Sequence, residues 1–318
     1  MTDPALKITD LSKTFTDASG LLGRSRREVR AVKGVSLEVA PGETLGIVGE
    51  SGCGKTTLAR MLVGLIPPTD GRIEINGTDR RGDSTRRFGR DIQYVFQDPT
   101  SSLNPRMTIR DILSVPLRHL HGMDGPARAA RIREIIDAVN LREEFLDRHP
   151  HEFSGGQAQR IGIARALAAD ARILVLDEPV SALDVSIQAQ VLNLLADLKA
   201  EFGLTYIFIS HDLAVVEAIS DRVAVFYAGS IAEIGPAAEI FAAPRHPYTK
   251  LLADSAPAVG KPIQTHEAAL SDVQVSPAHL PGCSFAPRCA YASDRCHGEP
   301  PTLETATPHA AACFHPLG

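Results

Sequence analysis

The sequence predicts an α/β fold with a parallel sheet at its centre. Helical and strand patterns alternate through most of the 318 residues, which favours an α/β core over an all-α or all-β one. Residues 173–176 form a continuous apolar run, as expected for a strand buried on both faces of a parallel sheet. A glycine-rich segment at 49–54 separates the apolar run 44–48 from the helical pattern 57–65. Strand, tight turn and helix in this order are typical of the same fold class.

Length and charge limit the classes of function. A chain of 318 residues can bury a sizeable core in one large domain or two. The net charge of -5 and the pI near 6.1 provide no basic field that would recruit nucleic acid. Residues 1–13 lack a signal-peptide pattern, and no apolar run is long enough to span a bilayer. We therefore expect a cytosolic protein that, if it serves a membrane, does so as a peripheral subunit.

The N-terminal part reads as two strands, at 6–10 and 35–39, joined by a loop at 16–30. The basic run Arg24 to Arg30 in this loop is expected to be a solvated surface, with contact to lipid or RNA as the alternative. On residue type alone, Phe15 is expected to be a core aromatic.

Residues 49–56 read Gly-Glu-Ser-Gly-Cys-Gly-Lys-Thr and fill every fixed position of the pattern G-x-x-x-x-G-K-S/T. The glycines allow a tight turn with inward N–H groups, and the following helix adds the positive end of its dipole. Lys55 can reach the β- and γ-phosphates of a nucleotide, and the Thr56 hydroxyl is suited to Mg²⁺. Cys53 is most simply a small residue in this crowded loop, but the same helix N-terminus and Lys55 would favour a thiolate, so its oxidation or alkylation should block nucleotide binding.

Polar residues follow three further predicted strands. Gln97 ends the strand 91–97, Asp177 and Glu178 end the run 173–176, and His211 follows the run 206–209. Because ligands of parallel sheets gather at the carboxyl ends of strands, we expect these side chains near the phosphate loop. Asp177 would then hold Mg²⁺ and Glu178 would polarise the attacking water, although an isolated Asp-Glu pair is often only a solvated strand end.

Residues 154–157, with the sequence Ser-Gly-Gly-Gln, form a second segment that is suited to bind an anion. Ser154 is placed to cap the helix 158–168, and two glycines allow close approach to an anion. A helical insert at 107–149, broken near 122–126, separates this element from the phosphate loop. We expect the second element to serve a nucleotide held by another molecule.

These motifs together resemble those of the ATP-binding subunits of ATP-binding-cassette (ABC) transporters. Residues 153–157 match the signature motif, Gln97 the Q-loop, 181–184 the D-loop and His211 the switch histidine. The resemblance implies a P-loop nucleotide-binding domain over residues 1–245, with a RecA-like core, an antiparallel β subdomain and a helical subdomain at about 107–168. It also implies a head-to-tail dimer that holds two ATP molecules.

The resemblance assigns roles to individual residues. Catalytic roles fall on Glu178, His211 and Gln97, and Mg²⁺ ligation on Thr56, Gln97 and Asp177. It places nucleotide contacts, including adenine stacking by the first residue, at Phe15, Gly49, Ser51, Gly52, Cys53, Gly54, Lys55, Thr56, Thr57, Ser154, Gly155, Gly156, Gln157 and Asp184.

Shorter motifs are similar to those of one branch, the oligopeptide/dipeptide and nickel importers. They are residues 97–99 and 101–105, the triplet His246-Pro247-Tyr248 and the C-terminal cysteines. Residues 153–157 and 184–188 more closely resemble the second of that branch's two ATPase subunits. This similarity implies a related ATPase chain as heterodimer partner, two transmembrane permeases and, indirectly, an extracytoplasmic solute-binding protein. The similarity also implies that the protein lies at the cytoplasmic face of the inner membrane.

Four of the five cysteines lie in the C-terminal extension 246–318, after a Pro-rich stretch at 257–281 that reads as a linker. Cys283, Cys289, Cys296 and Cys313 lack the close C-x2-C pairs of structural zinc sites. Four thiolates can hold a 4Fe-4S cluster or zinc, or can stay unmetallated. The resemblance to dipeptide importers favours the cluster, with zinc as runner-up.

The expected function is an ATPase that energises import of peptides or similar solutes. One alternative is a soluble cassette ATPase acting on nucleic acid or ribosomes, but no coiled coil, tandem cassette or basic linker is visible in the sequence. Another is a redox-regulated subunit whose partner performs most of the hydrolysis. The presence of Glu178 argues against an inactive site.

Overall fold

Two β-sheets organise the protein in a computed structural model that describes residues 3–17, 27–255, 281–304 and 307–318. The smaller sheet is antiparallel and four-stranded, with the order β2-β1-β4-β5. Its strands are β1 (Leu6–Asp17), β2 (Arg27–Val39), β4 (Asp70–Ile75) and β5 (Thr78–Asp79). The strands β1 and β2 extend beyond the predicted segments because they pair with each other as far as Asp17 and Arg27. The predicted loop 16–30 is therefore shorter than expected, and Arg24 and Arg26 lie outside the described residues.

The larger sheet has seven strands in the order β11-β10-β9-β3-β8-β7-β6. Its strands are β3 (Thr44–Val48), β6 (Ile92–Val95), β7 (Ile173–Asp177), β8 (Thr205–Ile209), β9 (Arg222–Tyr227), β10 (Ser230–Pro236) and β11 (Ala310–Ala311). The five strands from β9 to β6 are mutually parallel. At one edge, β10 pairs antiparallel with β9, and β11 pairs antiparallel with β10. The predicted α/β fold with a central parallel sheet is confirmed.

Helices cover the larger sheet and form a subdomain beside it. They are α1 (Lys55–Leu62), α2 (Thr85–Asp91), α3 (Pro99–Ser102), α4 (Ile109–His119), α5 (Gly125–Ala138), α6 (Gly155–Leu167), α7 (Val185–Phe202), α8 (Leu213–Ile219), α9 (Ala237–Ala242), α10 (Pro247–Ser255) and α11 (Asp294–Gly298). The break predicted near 122–126 falls between α4 and α5, as expected. Of the helices in the described part of the chain, none is both long and apolar enough to cross a bilayer.

Two hydrophobic cores lie on the opposite faces of the parallel strands. One contains the apolar faces of α4 to α8, and the other lies between the two sheets and includes α1. Strands β3, β7 and β8 are buried at every position because both of their faces pack in these cores. This burial explains the continuous apolar runs, since an exposed face would have produced alternation instead.

The C-terminal extension is attached directly to the larger sheet. Strand β11 pairs with β10, and the ring of Tyr248 at the start of α10 is fully buried. Buried Glu233 in β10 accepts hydrogen bonds from the backbone N–H groups of Arg245 and His246 at 2.7 Å each, and its Oε1 lies 2.6 Å from His309 Nε2. Residues 257–280 of the predicted linker lie outside the described residues, and the domain boundary at 245 stays a prediction.

We expect His246 to make the protein sensitive to acid. Burial lowers the pKa of His246 from 6.5 to about 4, although Glu233 raises it. As the pH falls below 6.5, the unfolded chain therefore gains a proton here that the folded chain excludes. Between about pH 7.5 and about pH 5 this should remove roughly 2 kcal/mol of the free energy of unfolding.

Urea unfolding of His246→Asn at both pH values checks this expectation. The Asn carbonyl can replace Nδ1, which accepts from the Tyr248 N–H at 3.0 Å. The variant should be less stable at neutral pH because it packs worse, but it should lose less stability on acidification. An equal loss in both proteins would contradict the assignment.

Candidate functional site

The loop between β3 and α1 requires glycine at its ends. Gly49, Gly52 and Gly54 have φ angles of 150°, 77° and 111°, which favour glycine. A Cβ on Gly49 would lie 2.1 Å from the Phe226 carbonyl oxygen, and one on Gly54 would lie 2.2 Å from that of Ala31. The loop is thus enclosed by β9 and β2, and only bare backbone fits between them.

Lys55 begins α1 and turns its side chain back into this loop. Its Nζ donates to the carbonyl oxygens of Gly49 at 2.6 Å and Glu50 at 2.9 Å, and the residue is only 6% exposed. Thr56 follows in the first helical turn and is exposed. A buried cation at a helix N-terminus, surrounded by a glycine turn, is chemically suited to a polyphosphate, so this part of the structure fits ATP.

Cys53 agrees with the simpler of the two expectations from the sequence, a small residue in a crowded loop, and not with the expected thiolate. The residue is 8% exposed, and its burial raises the pKa of the thiol more than Lys55, whose Nζ lies 3.7 Å from Sγ, lowers it. The thiolate expected at this position is therefore wrong, because desolvation outweighs the adjacent charge. Cys53 acts as a small buried residue in the crowded loop.

Asp177, at the end of β7, is held by a residue that the sequence reasoning missed. Asp177 is 5% exposed, and it accepts a short hydrogen bond from the hydroxyl of Tyr94 on the neighbouring strand β6. Burial and the Asp177 carboxylate raise the pKa of Tyr94, so its hydroxyl stays a proton donor. This hydrogen bond fixes the position of one carboxylate oxygen of Asp177. The remaining lone pairs of the Asp177 carboxylate therefore point in a fixed direction. The sequence signal for this contact was a tyrosine beside apolar Val95 in the strand β6.

We expect Tyr94→Phe to weaken the affinity of the site for Mg²⁺, because Tyr94 orients Asp177, a predicted metal ligand. Loss of a hydrogen bond that orients a ligand typically costs about 10- to 100-fold in metal affinity. Titration of ATP hydrolysis with Mg²⁺ should show the half-saturating concentration rise about tenfold. The matched control is Tyr206→Phe, which deletes a buried hydroxyl that donates to the Leu195 carbonyl at 2.8 Å. An equal Mg²⁺ response in both variants would contradict a specific role for Tyr94.

Glu178 lies between Gln97 and His211. Its Oε2 accepts from Gln97 Nε2 at 3.0 Å, and its Oε1 lies 3.2 Å from His211 Nδ1. Glu178 has a φ of 49°, a conformation that non-glycine residues rarely adopt and that often marks functional sites. The expected convergence of these strand ends is therefore observed. It follows from the adjacency of β6, β7 and β8 in the larger sheet.

Ser154 caps α6 as predicted. Its Oγ accepts from the Gln157 N–H at 3.4 Å, and Gln157 Oε1 accepts from the Ser154 N–H at 3.1 Å. A Cβ on Gly156 would lie 2.5 Å from a methyl carbon of Ile187, so glycine allows α6 to pack closely against α7. Ser154 and Asp184, the N-cap residue of α7, are both exposed. This helix N-terminus is therefore accessible to a ligand or to another molecule.

Phe15 is not a core residue. Its side chain is 42% exposed, and Lys13 Nζ lies 5.3 Å from the centre of its ring. The expectation from residue type alone is wrong, because Phe15 lies on the part of β1 that extends past the core. An exposed ring beside a cation is compatible with the stacking role that the resemblance assigns.

The four C-terminal cysteines line one small pocket, together with Phe285, Tyr291 and Phe314. The His315 N–H donates to Cys313 Sγ at 3.4 Å, and burial raises the pKa of Cys283, Cys289 and Cys313. Among the described residues, which include all four cysteines, no three Cys, His, Asp or Glu side chains are grouped so as to hold a metal ion. The metal ligand set stays a prediction.

Comparisons with known proteins agree with this geometry. Residues 32–181 match the family model described as ABC transporter, and residues 232–296 match that of the oligopeptide/dipeptide transporter C-terminal region. The di/tripeptide transport ATP-binding protein DppF of Pseudomonas aeruginosa is 44% identical, and the match covers 98% of each chain. The oligopeptide transport ATP-binding protein AppF of Bacillus subtilis is 46% identical over 97% of this chain and 96% of its own.

A solved structure shares the fold. The ATP-binding cassette MJ0796, in a dimeric post-hydrolysis state bound to ADP and Pi, superposes with a TM-score of 0.65 at 29% identity. The match covers 73% of this chain and 98% of that one. The phosphate loop, the strand-end carboxylates and the full-length relatives lead to one conclusion: the chain belongs to the ABC transporter family, as an ATP-binding subunit and ATPase that uses ATP with Mg²⁺.

Proposed function

We propose that this subunit hydrolyses ATP to energise the import of di- or oligopeptides through partner permeases. The observation that carries this proposal is the match of residues 232–296 to the oligopeptide/dipeptide transporter C-terminal region, which follows the cassette in the same chain. Relatives named for di/tripeptide and oligopeptide transport align over nearly their whole length and support it.

In the nucleotide site, each residue has a role that its surroundings support. The N–H groups of residues 49–57 and the Lys55 ammonium bind the phosphates, while Phe15 stacks on adenine. Thr56, Gln97 and Asp177 are the ligands of Mg²⁺, which when bound neutralises charge on the β- and γ-phosphates. Tyr94 keeps Asp177 in orientation.

Glu178 is the general base that removes a proton from the attacking water. Gln97 and His211 hold its two carboxylate oxygens from opposite sides, so the side chain stays aimed at one point. His211 is the more exposed partner at 62%, against 19% for Glu178, and is suited to respond to a nucleotide or a neighbouring subunit.

A second subunit completes each site. Residues 154–157 and Asp184 present an exposed helix N-terminus to the nucleotide bound by the partner, and the partner does the same in return. The relatives' branch favours a related ATPase chain over a second copy as this partner. We place the pair peripherally at the cytoplasmic face of the inner membrane, in contact with two permeases. An extracytoplasmic solute-binding protein delivers the solute to these permeases from the other side.

The cysteine pocket is proposed to hold a 4Fe-4S cluster, with zinc as the alternative. Four thiols around one pocket supply the donor chemistry of either group, and the backbone N–H of His315 is directed at Cys313 Sγ as in hydrogen-bonded thiolates. The thiols must approach one another and lose their protons to bind a metal. Cys283, Cys289, Cys296 and Cys313 are the ligands.

Metal analysis tests the cluster directly. Protein purified without oxygen should contain iron and acid-labile sulfide in similar amounts, and both should be lost when all four cysteines become serine. Zinc in place of iron selects the alternative. Neither metal in the wild-type protein would overturn the proposal, which is independent of the transport assignment.

Reconstitution tests the transport function. The chain should co-purify with two membrane permeases and a second ATPase, and vesicles containing this complex should accumulate a labelled tripeptide only with ATP and the binding protein. Co-purification with nucleic acid or ribosomes and no permease would overturn the proposal in favour of a soluble ATPase. Uptake that survives Glu178→Gln in this chain would instead identify a subunit whose partner performs most of the hydrolysis.

A further inference from the structure

The C-terminal extension contacts the phosphate loop through an ion pair between Arg288 and Glu50. Arg288 donates from Nη1 to Glu50 Oε2 at 3.0 Å and from Nη2 to Glu50 Oε1 at 2.9 Å. Glu50 is the second residue of the phosphate loop, and Arg288 directly precedes Cys289. Single exposed ion pairs contribute little, but a bidentate guanidinium–carboxylate pair is both stronger and more directional. The side chain of Arg288 is only 18% exposed.

The surroundings of Arg288 hold its guanidinium in place. The rings of Tyr227 and Phe285 lie 5.9 and 5.7 Å from it, and the Tyr227 hydroxyl accepts from Nη1 at 3.4 Å. The backbone of the loop is held from the same side, because the Glu50 N–H donates to the hydroxyl of buried Tyr248 at 2.9 Å. The extension therefore contacts both the backbone and the side chain of Glu50.

The Glu50 carboxylate is close to groups that bind phosphate. Its own carbonyl oxygen accepts from Lys55 Nζ at 2.9 Å, so its backbone forms part of the Lys55 environment. A carboxylate without a partner in this loop would repel a triphosphate and compete with it for Lys55. Arg288 opposes both effects, because it neutralises the carboxylate and engages both of its oxygens.

We propose that Arg288 is a positioning residue for the nucleotide site, which acts through Glu50 to keep the phosphate loop open to ATP. The C-terminal extension therefore contributes to ATP binding. The proposal rests on the ATP-binding role of the loop and is independent of the transported solute and of any metal at the cysteines.

Nucleotide binding by the full-length chain provides the test. Arg288→Ala should raise the Kd for ATP about tenfold, within the range of typical coupling energies between neighbouring sites. In the assembled transporter, KM for ATP should rise by a similar factor while kcat changes little. Arg288→Lys should recover part of the affinity, because a lysine neutralises Glu50 without the bidentate geometry.

A double variant separates positioning from a merely structural effect. If the released carboxylate causes the loss, Glu50→Gln combined with Arg288→Ala should restore the Kd for ATP to near the wild-type value. Arg295→Ala is the matched control, since Arg295 belongs to the same extension and makes an exposed ion pair with Glu299 at 3.3 Å. An unchanged Kd in Arg288→Ala would overturn the proposal, as would a loss that Glu50→Gln does not reverse.

Discussion

Glu178→Gln is expected to lower the rate of ATP hydrolysis by at least about a hundredfold, since general bases typically contribute about 10²- to 10⁴-fold. The amide keeps the hydrogen-bonding shape between Gln97 and His211 but cannot accept the proton of the attacking water. The Kd for ATP should therefore stay nearly unchanged. Phosphate release by the purified complex measures the first quantity, and titration with a fluorescent ATP analogue measures the second.

The control for this variant is Glu217→Gln, which makes the same chemical change at an exposed position on α8. Hydrolysis in the control should match the wild type. Undiminished hydrolysis in Glu178→Gln would mean that the partner ATPase carries most of the turnover.

Lys55→Ala should weaken ATP binding about a hundredfold, because hydrogen bonds to charged groups contribute about 1.5–3 kcal/mol each and we propose that this ammonium binds the phosphates. Lys55 Nζ also joins two carbonyl oxygens of the loop, so its removal loosens the loop itself. The rate of ATP hydrolysis should fall together with the affinity for ATP. Calorimetric titration with ATP gives the Kd, and circular dichroism reports whether the fold persists.

The matched control is Lys250→Ala on α10. Lys250 is half-exposed and pairs with Asp254 at 3.1 Å. Removing it takes away one lysine charge without touching the loop. A Kd for ATP that is the same in Lys55→Ala as in Lys250→Ala would exclude Lys55 from the phosphate site.

The parts of the site that are local in the chain could be predicted from the amino-acid sequence. The phosphate loop could be predicted because glycines, lysine and threonine act within eight consecutive residues, 49–56. Ser154 could be predicted as a helix cap for the same reason, since its partner Gln157 is three residues away. The convergence of Gln97, Glu178 and His211 also followed, because parallel strands place their carboxyl ends at one edge of the sheet.

Contacts between side chains of different helices and strands could not be predicted in this way and became visible in the folded protein. Tyr94 reaches Asp177 because β6 and β7 are neighbours, and Arg288 reaches Glu50 over a separation of 238 residues. Burial was equally invisible locally. The adjacent Lys55 favoured a thiolate at Cys53, and residue type alone placed Phe15 in the core, although the family resemblance assigned Phe15 to adenine stacking. Such contacts depend on the order of the strands in the sheet and on where the C-terminal extension packs against it. The hydrophobic periodicity of a single segment contains neither kind of information.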